Sequence, residues 1–200
     1  MNIWRKIAKI LGIFGRTPRR RNAHILIIGL NNAGKSTLLN RLKPEREQLA
    51  SSNVGPTVGF AVDKFTFNNV KFTVHDMSGR DGYRSMWECM YGRCDALLFV
   101  VDSTDQMRLA VAKDELDMTL RHADVADRPS VPILFLASKA AAPDACSTTA
   151  VAAALRLHED VGQSRPWRLA ATDISTGRLD EDGLHEAMCW LVEQITKTAR

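Results

Sequence analysis

The sequence predicts an α/β domain whose sheet is mixed, mostly parallel, six-stranded and covered by helices on both faces. Three observations carry this. The apolar run His24–Ile28 has the length of a buried strand, and a glycine-rich loop and then a helical pattern follow it directly, with Leu38, Leu39 and Leu42 on one side. Downstream, strand-like and helix-like stretches alternate, which is the pattern of parallel strands joined by crossover helices. One pair of β-rich stretches, Phe60–Phe67 and Val70–Asp76, is separated only by Asn68-Asn69. Two linking residues that tolerate positive φ predict a tight hairpin, and therefore one antiparallel pair within the sheet.

Taken in order, residues 2–15 place Ile3, Trp4, Ile7, Ile10, Leu11 and Phe14 at the spacing of one helical face, with Arg5, Lys6 and Lys9 elsewhere. A basic helix with an apolar stripe and an early Trp fits a membrane interface, and the following Thr17-Pro18-Arg19-Arg20-Arg21 adds attraction to anionic lipid. A helix packed on the domain and an Arg-rich, acid-free presequence are the alternatives. Residues 43–58 read as loop. After the hairpin come a helical segment around Tyr83–Tyr91, a buried strand Ala96–Val101 and an amphipathic helix over Met107–His122. A second buried strand Val131–Ala137, an Ala-rich helix over about 148–158, a short strand Trp167–Ala171 and a last helix from about Asp180 to Thr196 complete the chain. The organisation is an N-terminal basic segment, residues 1–22, ahead of one domain, residues 23–200.

The loop Gly29-Leu30-Asn31-Asn32-Ala33-Gly34-Lys35-Ser36 fits G-x-x-x-x-G-K-[ST] at every fixed position, in the strand–loop–helix context that gives the motif meaning. Its glycines permit a tight loop whose backbone N–H groups, Asn32 and Ala33 among them, close around a phosphate. The helix N-terminus adds partial positive charge, Lys35 reaches the outer phosphates and the Ser36 hydroxyl suits Mg²⁺. The fold is therefore that of a phosphate-loop NTPase. Two hundred residues suffice for one domain with a proper core. Cys89, Cys94, Cys146 and Cys189 show no C-x-x-C spacing, so a reduced, cytoplasmic chain without zinc or disulfides is expected. No apolar run is long enough to span a bilayer. The net charge is +4, yet no Asp or Glu precedes Glu45, which calls for an acidic partner at the N-terminus. That basic segment has an apolar stripe and no recognition motif, which favours lipid over nucleic acid. Position two is Asn2, which excludes N-myristoylation, so the helix and its charges must supply the grip.

The phosphate loop, Pro56-Thr57 and Asp76-Met77-Ser78-Gly79, in that order, resemble a small GTP-binding protein of the Ras superfamily. VGPTVGF, FTVHDMSGRDGYRSMWE and ALLFVVDSTD narrow the resemblance to the ADP-ribosylation factor (Arf) family. DMSG, LNRLKPE, AVAKDELD and PWRLAATD narrow it further, to the branch linked to the BBSome coat at the cilium. The resemblance implies a GTP/GDP switch with Mg²⁺, an exchange factor, an activating protein, a coat or other effector, and peripheral attachment to membrane, with the base of a cilium or flagellum as one location. It implies that Gly29, Gly34 and Lys35 hold the phosphates, that Thr37 lies near the α-phosphate, and that Ser36 and Thr57 ligate Mg²⁺. Asp76 would hold the metal through water, and the Gly79 N–H would contact the γ-phosphate. It further implies that the γ-phosphate orders the Thr57 and Gly79 loops while the hairpin Phe60–Asp76 shifts register and displaces the N-terminal helix towards membrane.

Three departures from the family pattern bear on function. The water-orienting glutamine that follows DxxG is replaced by Arg80, which donates hydrogen bonds but cannot accept one, so very slow hydrolysis is expected unless a partner supplies the missing group. The catalytic positions thus comprise Thr57, Gly79 and, in degenerate form, Arg80. The guanine-reading Asn-Lys-x-Asp is replaced by Ser138-Lys139-Ala140-Ala141. Two charge-assisted hydrogen bonds to the guanine edge are lost at Ala141, at about 1.5–3 kcal/mol each, or about two to four decades of affinity. Lys139 still suits the base face, and the Ala171 N–H, in Ala170-Ala171-Thr172, still suits the guanine O6. In the effector trio Phe60 remains, while His75 and Met90 hold the other two places, with Trp87 and Tyr91 near enough to keep that surface adhesive. For the N-terminal segment, the expected outcome is binding to anionic vesicles that falls as salt rises, with no comparable binding to DNA, measured by co-sedimentation over a salt series.

Overall fold

The computed structural model describes residues 21–50, 53–162, 165–173 and 183–198. The basic amphipathic segment 2–15, the TPRRR run and the predicted helix start at Asp180 lie outside these residues. Six strands form one sheet in the order β2-β3-β1-β4-β5-β6. They are β1 (Arg21–Ile28), β2 (Phe60–Phe67), β3 (Val70–Met77), β4 (Ala96–Asp102), β5 (Ile133–Ser138) and β6 (Trp167–Ala171). Only β2 and β3 pair antiparallel, through the hairpin whose Asn68 and Asn69 take φ of 44° and 67°. All the other pairs are parallel. The mixed, mostly parallel sheet with helices on both faces is as the sequence predicts.

Alternation along the strands divides the core into two layers. Ile25 and Ile27 of β1 face the layer that holds Phe72 and Val74, Leu98 and Val100, and Leu134 and Leu136. Helices α1 (Lys35–Leu42) and α4 (Leu184–Thr198) close that layer with Leu38, Leu39, Met188 and Leu191. Leu26 and Ile28 face the other layer, with Leu97, Phe99 and Phe135. There α2 (Leu109–Arg121) and α3 (Thr148–Ala154) contribute Leu116 and Val151. No helix among the described residues is long and apolar enough to cross a membrane.

Several boundaries depart from the sequence reading for identifiable reasons. β1 begins at Arg21, because β3 offers a partner as far as Val70 and the Arg21 guanidinium donates to the Thr196 carbonyl at 2.9 Å. The predicted helix 107–122 starts with a 3₁₀ turn, Gln106–Arg108, whose cap is Asp105; Met107 consequently points outward, 91% exposed. The Ala-rich helix ends at Ala154 because Leu155 and Leu157 are both fully buried. Residues two apart cannot share one face of an α-helix. Arg156 therefore takes a left-handed conformation between them (φ 50°, ψ 42°), followed by a π-helical turn over Leu157–Val161. The segment around Tyr83–Tyr91 is a 3₁₀ helix, Asp81–Trp87, running into one α turn, Glu88–Tyr91.

Replacing Phe72, which is fully buried between the strands and α1, by Ala is expected to lower the unfolding free energy by about 3–5 kcal/mol in urea titrations. Met107→Ala, on the exposed turn, is expected to stay within about 0.5 kcal/mol.

Candidate functional site

The phosphate loop leaves the end of β1 and returns as α1. Gly29 has φ 135°, and a Cβ there would lie 2.2 Å from the Val100 carbonyl oxygen of β4, so only glycine fits. Asn32 (φ 65°) and Gly34 (φ 85°) turn the backbone so that α1 begins at Lys35 with no side-chain cap and no acidic residue in its first turn. The first-turn N–H groups are thus left for an anion. Lys35 is buried and folds back over the loop, its Nζ donating to the Gly29 and Leu30 carbonyls at 2.8 Å each. Burial pulls its pKa down to about 8, with Asp76 pulling it back up and Arg84 pushing it further down. Phosphate oxygens would supply the negative charge that this ammonium lacks.

Three oxygen-bearing side chains from three separate elements meet beside Lys35. Ser36 Oγ lies 2.8 Å from Thr57 Oγ1 and donates to Asp76 Oδ2 at 2.5 Å; Thr57 Oγ1 donates to the same oxygen at 3.1 Å. Asp76 is buried, and its other oxygen, Oδ1, has no hydrogen-bond partner among the described residues. Burial raises its carboxyl pKa, against the opposing effects of the Ser36 hydrogen bond, the Lys35 charge and Thr57. Hard oxygen donors around a buried, under-satisfied carboxylate fit a small divalent cation such as Mg²⁺. A cavity of about 370 Å³ opens in front of them, lined by Gly34, Lys35, Ser36, Thr37, Thr57 and Gly79 among others, with Asn32 and Arg80 at its sides.

Gly79 rests directly on the phosphate loop. A Cβ there would stand 2.3 Å from both the Gly29 oxygen and the Leu30 carbonyl carbon, and the Gly79 carbonyl accepts the Asn31 N–H at 3.0 Å. That carbonyl also accepts Arg84 Nε at 3.0 Å, while Arg84 Nη1 pairs with Glu115 of α2 at 2.8 Å and with Asp81 at 3.2 Å. Trp87 Nε1 donates to the Ser78 carbonyl at 2.9 Å. Sequence reasoning missed Arg84 and Glu115. The one signal was an acidic residue on the face of α2 that carries Leu109, Ala112 and Leu116, and it is buried there.

Trp87 and Tyr91, expected on the effector surface, are instead buried in the core. Their side of the 3₁₀–α segment faces the sheet, where Tyr91 Oη meets Thr119 Oγ1 at 2.9 Å. Phe60 is 53% exposed, as that reading requires. His75 is half-buried and stacks on His24 at 6.0 Å, and both burial and His24 lower its pKa.

On the side of the nucleotide base, Ser138 is fully buried and straps the sheet to the phosphate loop, its Oγ donating to the carbonyls of Ala33 (2.8 Å) and Val101 (3.1 Å). Lys139 takes φ 58°, and its Nζ pairs with Asp102 at 2.5 Å. The Ala140 N–H donates to the Thr172 carbonyl at 3.1 Å, which draws residues 139–141 against the end of β6. Ala171 and Ala141 are exposed there, and Ala141 brings no acceptor. Of the residues expected to hold phosphate or metal, Asn32, Gly34, Lys35, Ser36, Thr37, Thr57 and Gly79 line one cavity, while Gly29, Ala33 and Asp76 lie behind its wall. Ser138, Lys139 and Ala171 form a separate wall that does not line it.

The sequence profile of the ADP-ribosylation factor family matches residues 8–195. The chain belongs to the ADP-ribosylation factor family. It is 39% identical over 195 residues to ADP-ribosylation factor-like protein 6 of Danio rerio, covering 98% of this chain and 97% of that protein. It is 38% identical over 178 residues to the Caenorhabditis elegans protein of the same name, 89% of each chain. The Arl6 BBS3 small GTPase of Trypanosoma brucei, solved with the nucleotide analogue GppNp, superposes with a TM-score of 0.77 at 34% identity, over 88% of this chain and 98% of that one. The fold is that of the Arf-family small GTPases, and membership implies a GTP-binding switch. Within this Arf-family chain the Arg84–Glu115 pair is nearly buried, so removing Glu115 leaves the Arg84 guanidinium with only the exposed Asp81 as counter-charge. Glu115→Ala is expected to lower the unfolding free energy by about 2–4 kcal/mol, read by chemical denaturation.

Proposed function

We propose that this chain is a membrane-associated molecular switch that binds GTP with Mg²⁺ and, in that state, recruits a coat or trafficking effector. The observation that carries the reading is the meeting of Ser36, Thr57 and Asp76 at one point of the phosphate cavity, with Gly79 seated on the loop beside it. Thr57 and Gly79 belong to segments far apart in sequence, so a group that binds both links two loops at once. Lys35 and the α1 N-terminus hold the outer phosphates, while Ser36 and Thr57 offer oxygen ligands and Asp76 orients water around the cation. Bound there, Mg²⁺ would neutralise charge on the phosphate oxygens. The hairpin β2–β3 would carry the nucleotide state outward by a change of register. Val58, Phe60 and Val62, all exposed, support an effector surface along β2.

Turnover in this reading is very slow, because the Arg80 guanidinium has no lone pair with which to orient an attacking water. An activating protein would have to supply that group, and an exchange factor would reload the site. Residues 2–15 would provide the grip on membrane, and similarity to the Arf-like 6 relatives supports a place at the base of a cilium or flagellum. No role in nucleic-acid binding is proposed.

A second reading, a pseudo-GTPase interaction module, is favoured by Ala141, which offers no acceptor to the guanine edge. Calorimetry of the nucleotide-free protein with GTPγS, GDP and ATPγS in Mg²⁺ separates the two. The switch reading expects both guanine nucleotides to bind more tightly than ATPγS, and Ala141→Asp to strengthen them by about two to four decades. Weak binding without guanine preference supports the module, and no binding at all overturns the switch.

A further inference from the structure

Thirteen residues line the phosphate cavity, and they include two cations, Lys35 and Arg80, and no carboxylate. The two cations are placed in opposite ways. Lys35 is buried and committed to the Gly29 and Leu30 carbonyls. Arg80 is exposed at the rim, directly after Gly79, and among the described residues its guanidinium makes no hydrogen bond or ion pair. The neighbouring acid, Asp81, does not neutralise it, since Asp81 pairs with Arg84. Arg84, four residues on, is bound to Gly79, Asp81 and Glu115.

The backbone that carries Arg80 is nonetheless fixed. Gly79 is pressed against the phosphate loop, the Arg80 N–H reaches Ser78 Oγ at 3.5 Å, and the Arg80 carbonyl accepts the Tyr83 N–H at 2.9 Å as the 3₁₀ helix begins. A long side chain with a planar, five-donor head is thus mounted on a rigid base at the mouth of an anion site, with no partner among the described residues. Guanidinium matches phosphate oxygens in a bidentate fork.

We propose that Arg80 is a selectivity residue for the terminal phosphate, clamping the γ-phosphate and so favouring triphosphate over diphosphate nucleotide. This rests on reading the cavity as a nucleotide site. Phosphates enter from the α1 N-terminus, where Lys35 lies, and the chain of phosphates lengthens towards Thr57 and Gly79. A diphosphate ends short of Arg80 and leaves its charge to water, whereas a third phosphate brings an anion within its reach. The replacement that removes the water-orienting amide therefore also adds a contact that exists only in the triphosphate state. The interaction is exposed and accordingly sensitive to salt.

The test uses the full chain, loaded with fluorescent GppNHp or fluorescent GDP in Mg²⁺, and reads the ratio of the two affinities. Arg80→Ala is expected to lower the preference for GppNHp over GDP about tenfold, and Arg80→Lys to keep part of it, as a point charge without the fork. Raising KCl from 50 to 500 mM should erode the preference in the unaltered protein and leave it flat in Arg80→Ala. Unchanged thermal unfolding would show that Arg80→Ala is folded. An unaltered protein that binds both nucleotides, with a ratio that Arg80→Ala and salt do not move, overturns the proposal alone. Failure of the unaltered protein to bind either nucleotide overturns both the proposal and the reading on which it rests.

Discussion

A buried ammonium whose hydrogen bonds, among the described residues, go to two carbonyl oxygens sets the conditions for everything around it. Lys35 closes the phosphate loop by bonding Gly29 and Leu30, and burial makes its charge costly. The arrangement is sustainable because the sheet behind it is rigid. β1 and β4 pair in register, Gly29 lies against Val100, and Ser138 straps the loop to β4 and β5. The N-terminus of α1, uncapped by any side chain, faces the same way. The ammonium and the uncapped helix end both favour negative charge, and no carboxylate lines the cavity in front of them, the buried Asp76 standing behind Ser36 and Thr57.

The second constraint is steric. Gly79 has no room for a Cβ, so the loop after β3 approaches the phosphate loop as closely as two backbones can. Its carbonyl then collects donors from Asn31 and Arg84, and Arg84 passes the connection to Glu115 on α2. Trp87, locked to the Ser78 carbonyl from below, ties the same loop into the hydrophobic layer beneath the sheet. Phosphate loop, β3 loop and α2 are therefore joined by one continuous path of hydrogen bonds, from Asn31 through Gly79 and Arg84 to Glu115.

Much of this was legible in the sequence, for reasons that differ by residue. The loop Gly29–Ser36 could be read because its chemistry imposes fixed spacing, and the hairpin because Asn68-Asn69 is short and tolerant of positive φ. Thr57, Asp76 and Gly79 could be assigned only through family resemblance, since nothing local in PT or DMSG announces a cation. Arg84 and Glu115 were hidden because a pair separated by 31 residues has no signature in either local stretch. Trp87 and Tyr91 were misplaced because composition does not reveal which side of a 3₁₀ helix meets the sheet. The break at Arg156 was unpredictable from helix propensity, as burial of both Leu155 and Leu157 overrides it.

The edge position of β2 carries a liability of its own. Among the described residues Phe60–Phe67 pairs with β3 on one side only, so its other edge has no strand partner there; Phe60 and Val62 are exposed on it and Val58 just before it. Such an edge is a template for another strand, including that of a second copy. Asp63 and Lys64 interrupt the apolar run, and Lys43 binds Asp63 at 2.7 Å, which keeps a charge fixed midway along the strand. A charge held midway along an edge strand opposes the pairing of that edge with another strand, a constraint on association that is separate from the stability of the core.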